Sequence, residues 1–202
     1  MTDTGAGETY RAVGTKHIAA GEARTLLIRR RYDAPIEDVW AACTEPGRLD
    51  RWFLPVTGDL RVGGTFRLQD NADGEILRCE PPRLLTVTWV FGDREVDEVE
   101  LRLSADGGDT VLELEHASVS RLVELDGRWV DPVLNDAATG IWGQGTGWEL
   151  PLVHGLPKYL AGEVPDAPAA EWFEVSPEVL ALADRCGAAW AAVVRTTGGD
   201  TG

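Results

Sequence analysis

Apart from 34 aspartates and glutamates, the side chains able to do acid–base, nucleophilic or metal chemistry are few and scattered. There are three histidines, His17, His116 and His154, and three cysteines, Cys43, Cys79 and Cys186. No histidine stands in H-x-H or H-E-x-x-H spacing and no C-x-x-C occurs, so the pattern offers no metal site. There is no G-x-S-x-G elbow. The glycines at 63–64 and 140–147 fit neither G-x-G-x-x-G nor a P-loop and read as turns. No carboxylate pair sits at a telling spacing. The residue types therefore specify no catalytic set, no metal and no cofactor. His116 stands apart. It ends an alternating run, 110–116, on the same face as Leu112 and Leu114, and so points inward. Two readings stay open: a core histidine satisfied by a backbone carbonyl, or a polar handle inside a cavity.

The surplus is aromatic, with eight tryptophans in 202 residues. Trp52, Phe53, Phe66, Trp89 and Phe91 fall on faces expected to turn inward, and Trp148 opens a late helix. Such rings either fill a core or line an apolar pocket. Trp52, Phe53, Phe66, Trp89, Phe91, His116 and Trp148 are the candidate ligand-binding residues. Arg78 would join them, as partner of an acidic ligand group, if its strand turns it inward.

The elements that must position these residues are legible from periodicity and punctuation. Residues 1–22 read as a flexible leader. A strand at 24–32 is followed by Pro35, which starts a short helix whose first turn carries Glu37 and Asp38, as the helix dipole favours. Ile36, Val39, Trp40 and Cys43 form its inward stripe, and Pro46 starts a second short helix ending near Trp52. Strands are predicted at 56–61, 65–68, 75–80, 84–91, 96–103 and 110–116, with turns at 63–64, 71–74, 92–93 and 105–109. Seven short strands in succession suit an antiparallel sheet rather than βαβ units. The segment 118–147 is long for a connection, has apolar anchors in Trp129, Ile141 and Trp142, and reads as a lid or binding loop. Trp148, Leu152, Leu156 and Leu160 recur every four residues, predicting a helix over 147–161 that Pro157 should kink or split. A Pro/Ala-rich connector leads to Ser176-Pro177-Glu178, a helix start, and then to the stripe Val179, Leu182, Ala183, Cys186, Trp190 and Val193.

Charge excludes some partners. The net charge of −15 argues against nucleic acid and against anionic membrane surfaces. Residues 92–115 hold nine acids against two arginines, mostly alternating with Val and Leu, and read as the solvated face of a hairpin. Three widely spaced cysteines suit reduced thiols in a cytoplasmic protein. The first 21 residues lack the apolar core of a signal peptide, and no run approaches the 18 apolar residues of a membrane span.

Several short motifs, taken in order, carry a resemblance. They are Asp33-Ala34-Pro35 with Val39-Trp40, Trp52-Phe53 with Pro55, and Gly63-Gly64 with Phe66. Gly74-Glu75-Ile76-Leu77 with Pro81-Pro82 and Leu84, Thr88-Trp89, Thr110 to His116 by alternation, and Gly147-Trp148 with Leu150 complete the set. Together they resemble the START-like (SRPBCC) superfamily, and most closely its branch similar to the activator of heat-shock protein 90 ATPase. The resemblance covers about 24–162. It implies an α+β helix-grip fold: a seven-stranded antiparallel sheet wrapped around the helix that Trp148 opens, with two short helices after the first strand. The expected organisation is a leader (1–22), a helix-grip domain (23–162), and a linker with an extra carboxy-terminal helix (163–202).

The resemblance also implies a cavity between sheet and helix that accepts a small hydrophobic or aromatic ligand. It does not imply one activity, since relatives include carriers, polyketide cyclase-like enzymes and a stress-related co-chaperone domain. Binding of a small apolar ligand is the first reading, without catalysis. A cyclase- or hydrolase-type enzyme would need His116 or a carboxylate as general base. An interaction protein would expose an apolar patch, for instance on the helix carrying Val179 to Val193, which is also the candidate homodimer face.

Overall fold

The computed structural model describes residues 7–120, 122–125, 127–136, 140 and 142–197. Its centre is one antiparallel sheet. β1 (Thr9–Ile18) and β2 (Gly21–Tyr32) open the chain, followed by the short helices α1 (Ile36–Thr44) and α2 (Pro46–Leu49). Then come β3 (Val56–Gly58), β4 (Thr65–Leu68), β5 (Ala72–Glu80), β6 (Leu84–Phe91), β7 (Asp97–Asp106) and β8 (Asp109–Ser118). The spatial order is β1-β2-β8-β7-β6-β5-β4-β3. The expected helix-grip architecture is present, but the sheet has eight strands, not seven.

The extra strand lies where the sequence reads as a leader. Residues 9–18 pair with β2 along ten antiparallel positions, from Thr9 opposite Arg30 to Ile18 opposite Gly21. β1 is an edge strand in which only Ile18 is buried, so it lacks the apolar alternation that reveals an inner strand. Hydrogen bonds to β2 and the Arg11 and Lys16 side chains, paired with Glu149 and Glu115, hold it rather than a stripe of its own.

The inner strands follow their alternation. Leu26 and Ile28 of β2, Val99, Leu101 and Leu103 of β7, and Leu112 and Leu114 of β8 are buried on the concave face. The same parity carries Asp97 and His116 inward at the ends of β7 and β8. Gly74, expected in a turn, lies inside β5. An added Cβ there would sit 2.0 Å from the Thr88 carbonyl and 2.6 Å from the Phe66 ring, so only glycine lets Phe66 pack flat on the strand. The turn falls earlier, with Asp70 at φ 53°.

The gripped helix begins at Gln144. α3 (Gln144–Leu150) passes through a π-helical turn (Pro151–Gly155) into α4 (Leu156–Leu160). The expected split is present, as the π turn just before Pro157, and the chain stays helical through it for a local reason. In the π turn the Leu156 N–H reaches back to the Pro151 carbonyl. The Leu152 carbonyl would then need the N–H of residue 157, which proline lacks. The buried Tyr32 hydroxyl donates to that carbonyl instead, at 2.8 Å. Burial pushes the Tyr32 phenol well above its usual range, so it remains a donor.

In the segment 118–147, β9 (Val123–Leu125) and β10 (Arg128–Val130) form a separate hairpin. Trp129 is exposed, Trp142 packs beside Leu150 and Val179, and Ile141 lies outside the described residues. The connector holds a single turn, α5 (Ala169–Trp172), before α6 (Pro177–Thr197). The Val179 N–H binds the Ser176 hydroxyl, as a helix-capping serine should. Val179, Ala183, Cys186 and Trp190 are buried, so the stripe that would form an exposed patch is used inside the molecule. Trp190 joins the main core with the sheet, α1 and the gripped helix. Among the described residues, no helix is long and apolar enough to cross a membrane.

Candidate functional site

Space remains between the concave sheet and the gripped helix, divided into two chambers. The first has a volume of about 190 Å³. Trp52 and Phe53 follow α2, Phe66 comes from β4, Trp89 from β6 and Trp148 from α3, and aliphatic side chains such as Ile76, Val87, Leu101, Leu114 and Leu152 complete the wall. Its few polar groups are Thr44 and two thiols. Burial pushes the Cys43 thiol up to about 12 and raises Cys79 as well, so both stay protonated. This chamber can hold apolar matter and has no group to charge or to attack it.

The second chamber, about 440 Å³, lies on the other side of the same aromatic wall. Phe53, Trp89 and Trp148 line both spaces. The rest of its lining is mixed: Phe91 and Trp142, the polar Asn71 and Gln144, the carboxylates of Glu95, Asp97, Asp131 and Asp136, and Arg94. The segment 118–147 therefore supplies much of one wall.

His116 is the polar centre of this arrangement. The Trp148 indole N–H donates to His116 Nδ1 at 2.9 Å. An indole nitrogen can only donate, so Nδ1 carries no proton and the ring is the Nε2–H tautomer. Nε2–H then donates to Asp97 Oδ2, also at 2.9 Å. Asp97 Oδ1 accepts from the Val119 N–H at 3.3 Å. The imidazole is 3% exposed and engaged at both nitrogens.

Of the residues expected from the sequence, Trp52, Phe53, Phe66, Trp89 and Trp148 gather around the apolar chamber. Phe91 and His116 do not reach it. Phe91 is 45% exposed, stands at the rim of the polar chamber, and has the Arg94 guanidinium 5.2 Å over its ring. His116 faces the polar chamber through its side chain partners, not a backbone carbonyl. Arg78 points to solvent and pairs with Glu80. Asp97, read as part of the solvated acidic face, is the functional residue missed. Its position two before Val99, Leu101 and Leu103 is the signal that places it inside. The other histidines lie elsewhere: His17 is exposed on β1, while His154 packs edge-on to Phe173. Burial, and then the charge of Lys158, lowers the His154 pKa. Among the described residues, no group of three His, Cys, Asp or Glu side chains could hold a metal ion.

The model of the family described as activator of Hsp90 ATPase homolog 1-like protein matches residues 33–160. Among solved structures, the chain is similar to CalU16 from Micromonospora echinospora. The crystal structure of that protein is 45% identical with a TM-score of 0.72, and the match covers 92% of this chain and 98% of that one. Its solution structure gives 46%, 0.75, 97% and 99% for the same measures. DynU16, a protein in the dynemicin biosynthetic locus, shares the fold at 22% identity and a TM-score of 0.55, over 70% of this chain and 49% of its own. So does PFC0360w, an HSP90 activator from Plasmodium falciparum, at 21% and 0.52, over 70% and 97%. A comparison with curated proteins found no match.

Proposed function

Because the chain belongs to the activator of Hsp90 ATPase homolog 1-like family, within the START-like superfamily, we propose that it binds a small hydrophobic or aromatic molecule between sheet and gripped helix. The observation that carries this reading is the apolar chamber of about 190 Å³, walled by five aromatic rings and by aliphatics from several strands. A chamber of this lining gains affinity from buried apolar area, and the edges and faces of Trp52, Phe66, Trp89 and Trp148 favour flat, unsaturated ligands. The engagement of both His116 nitrogens supports binding over catalysis, since a general base needs a free lone pair aimed at the substrate. The burial of Val179, Ala183, Cys186 and Trp190 argues against the α6 stripe as a docking patch. A place for such chemistry in a biosynthetic locus, as for DynU16, is compatible with a carrier of apolar intermediates.

The test is native mass spectrometry of the purified protein, followed by thermal shift against lipids, polyketides and aromatic acids. A ligand at about 100 times its Kd stabilises the folded state by about 2.7 kcal/mol. Trp89→Ala should abolish that shift. A protein that purifies empty and is stabilised by none of these compounds would overturn the reading.

A further inference from the structure

Phe53, Trp89 and Trp148 form the wall between the two chambers, and of the three it is Trp148 whose position is set by a hydrogen bond across to the sheet as well as by packing. Trp148 lines both spaces and is only half-buried. Its ring lies 4.7 Å from Trp89 and 6.0 Å from Phe53, centroid to centroid, and neither contact fixes its rotation as its indole N–H bond to His116 does. His116 in turn is held by Asp97, and Asp97 by the Val119 backbone.

Resting on the apolar-ligand reading above, we propose that Trp148 is a partition. His116 and Asp97 are its positioning residues, and swinging the indole aside joins the chambers into one cleft for a two-part ligand: an apolar body with a polar end that is neutral or basic. The polar end follows from the lining. Around the second chamber stand Glu95, Asp97, Asp131 and Asp136 against Arg94. Each carboxylate already has a partner: Asp131 has Arg24 and Asp136 has Arg128, both arginines outside the lining, while Asp97 accepts from His116 and Glu95 from Ser120. An anion entering there would meet one guanidinium, Arg94, and the amides of Asn71 and Gln144 against four carboxylates. An ammonium or hydroxyl would meet acceptors.

The experiment measures displacement of N-phenyl-1-naphthylamine by hexylamine, dodecylamine, dodecanol and dodecanoate. Wild type is compared with Trp148→Ala, Trp148→Leu, His116→Leu and His116→Gln. The reporter tests the apolar chamber itself. The ratio of dodecylamine to hexylamine affinity tests the partition. That ratio should rise about tenfold in Trp148→Ala and Trp148→Leu, the gain that fewer than two newly buried methylenes supply. It should rise less in His116→Leu, and return to the wild-type value in His116→Gln, whose amide can accept from the indole and donate to Asp97. Dodecylamine and dodecanol should bind the opened forms more tightly than dodecanoate. Equal ratios in wild type and in both Trp148 variants, with the reporter still bound, overturn the partition and leave the chamber. Tightest binding of dodecanoate overturns the polar-end assignment. A reporter that binds no form overturns the ligand reading and the partition with it.

Discussion

Trp148 and Glu149 are neighbours in α3 and, about 100° apart, serve different faces of it. Each belongs to a buried network joining an indole N–H to a carboxylate. On one face, Trp148 donates to His116 and His116 to Asp97, beside open space. On the other, Glu149 is 1% exposed, accepts from the Trp190 indole at 2.9 Å, and is clasped by Arg11 of β1 through two nitrogens. None of Glu149, Arg11 and Trp190 lines either chamber. The same functional groups thus do different work according to what surrounds them. Where packing is complete, the network docks α6 and the edge strand onto the helix. Where a cavity adjoins, it sets the position of a wall.

That contrast can be tested by how each network fails. The largest effect should come from Arg11→Ala, which leaves Glu149 buried without its cation. A loss of about 3–5 kcal/mol in urea unfolding is expected. A loss below about 1 kcal/mol would mean that the docking face is as adaptable as the cavity face. Gly145→Ala comes next. Its Cβ would meet the Trp190 ring at 2.6 Å, so Trp190 must shift, at a cost of about 1–3 kcal/mol in the same measurement. On the cavity face, Trp148→Phe removes the donor to His116 Nδ1 together with part of the ring, beside open space. About 1 kcal/mol should be lost from stability, while reporter binding changes more than for either docking variant. A Trp148→Phe protein as unstable as Arg11→Ala would erase the distinction.

A further effect, near zero at neutral pH, is a dependence on alkaline pH. Burial pushes the Cys43 thiol up to about 12 from an ordinary value of 9.0, and Cys186 moves likewise to about 12. Above pH 9 the unfolded chain releases these protons and the folded chain keeps them, so the unfolded state binds fewer protons. Stability that is fully present below pH 9 should therefore decline as pH rises toward 12. Cys43→Ala should flatten that decline. Unfolding midpoints measured at intervals above pH 8.5 check it, and an unchanged slope in the variant would show that Cys43 contributes none of it.

The parts of this design visible in the sequence are those with a period. Alternation on β7 and β8 and the four-residue recurrence from Trp148 to Leu160 reveal the sheet face and the gripped helix, and Trp148 with it. Phe66 and Trp89 follow from the strands at 65–68 and 84–91, and Trp52 and Phe53 from the end of the second short helix. β1 was hidden because an edge strand needs backbone partners and almost no apolar residues. Asp97 was hidden by its chemistry: an acid in an acidic stretch reads as solvated, although its parity matched Val99. The division into two chambers had no local signature at all. It depends on Phe53, Trp89 and Trp148 meeting from three elements, and on a hydrogen bond between residues 32 positions apart.

The π turn in the gripped helix resolves a problem of angular phase. Side chains spaced every four residues on an α-helix advance about 40° beyond each full turn. Over the three steps from Trp148 to Leu160 the drift would carry the row about a third of the way round the axis. One widened turn at Pro151–Gly155 absorbs a residue and winds the row back, which is how Leu152 and Leu156 both end up buried in the main core. The helix therefore counts its residues. Deleting a single position within the turn would restore ordinary winding and leave the later side chains on the same face, whereas a deletion in the α-helical turns on either side would rotate everything beyond it by about 100°. A one-residue deletion is thus better tolerated in this turn than elsewhere in the helix.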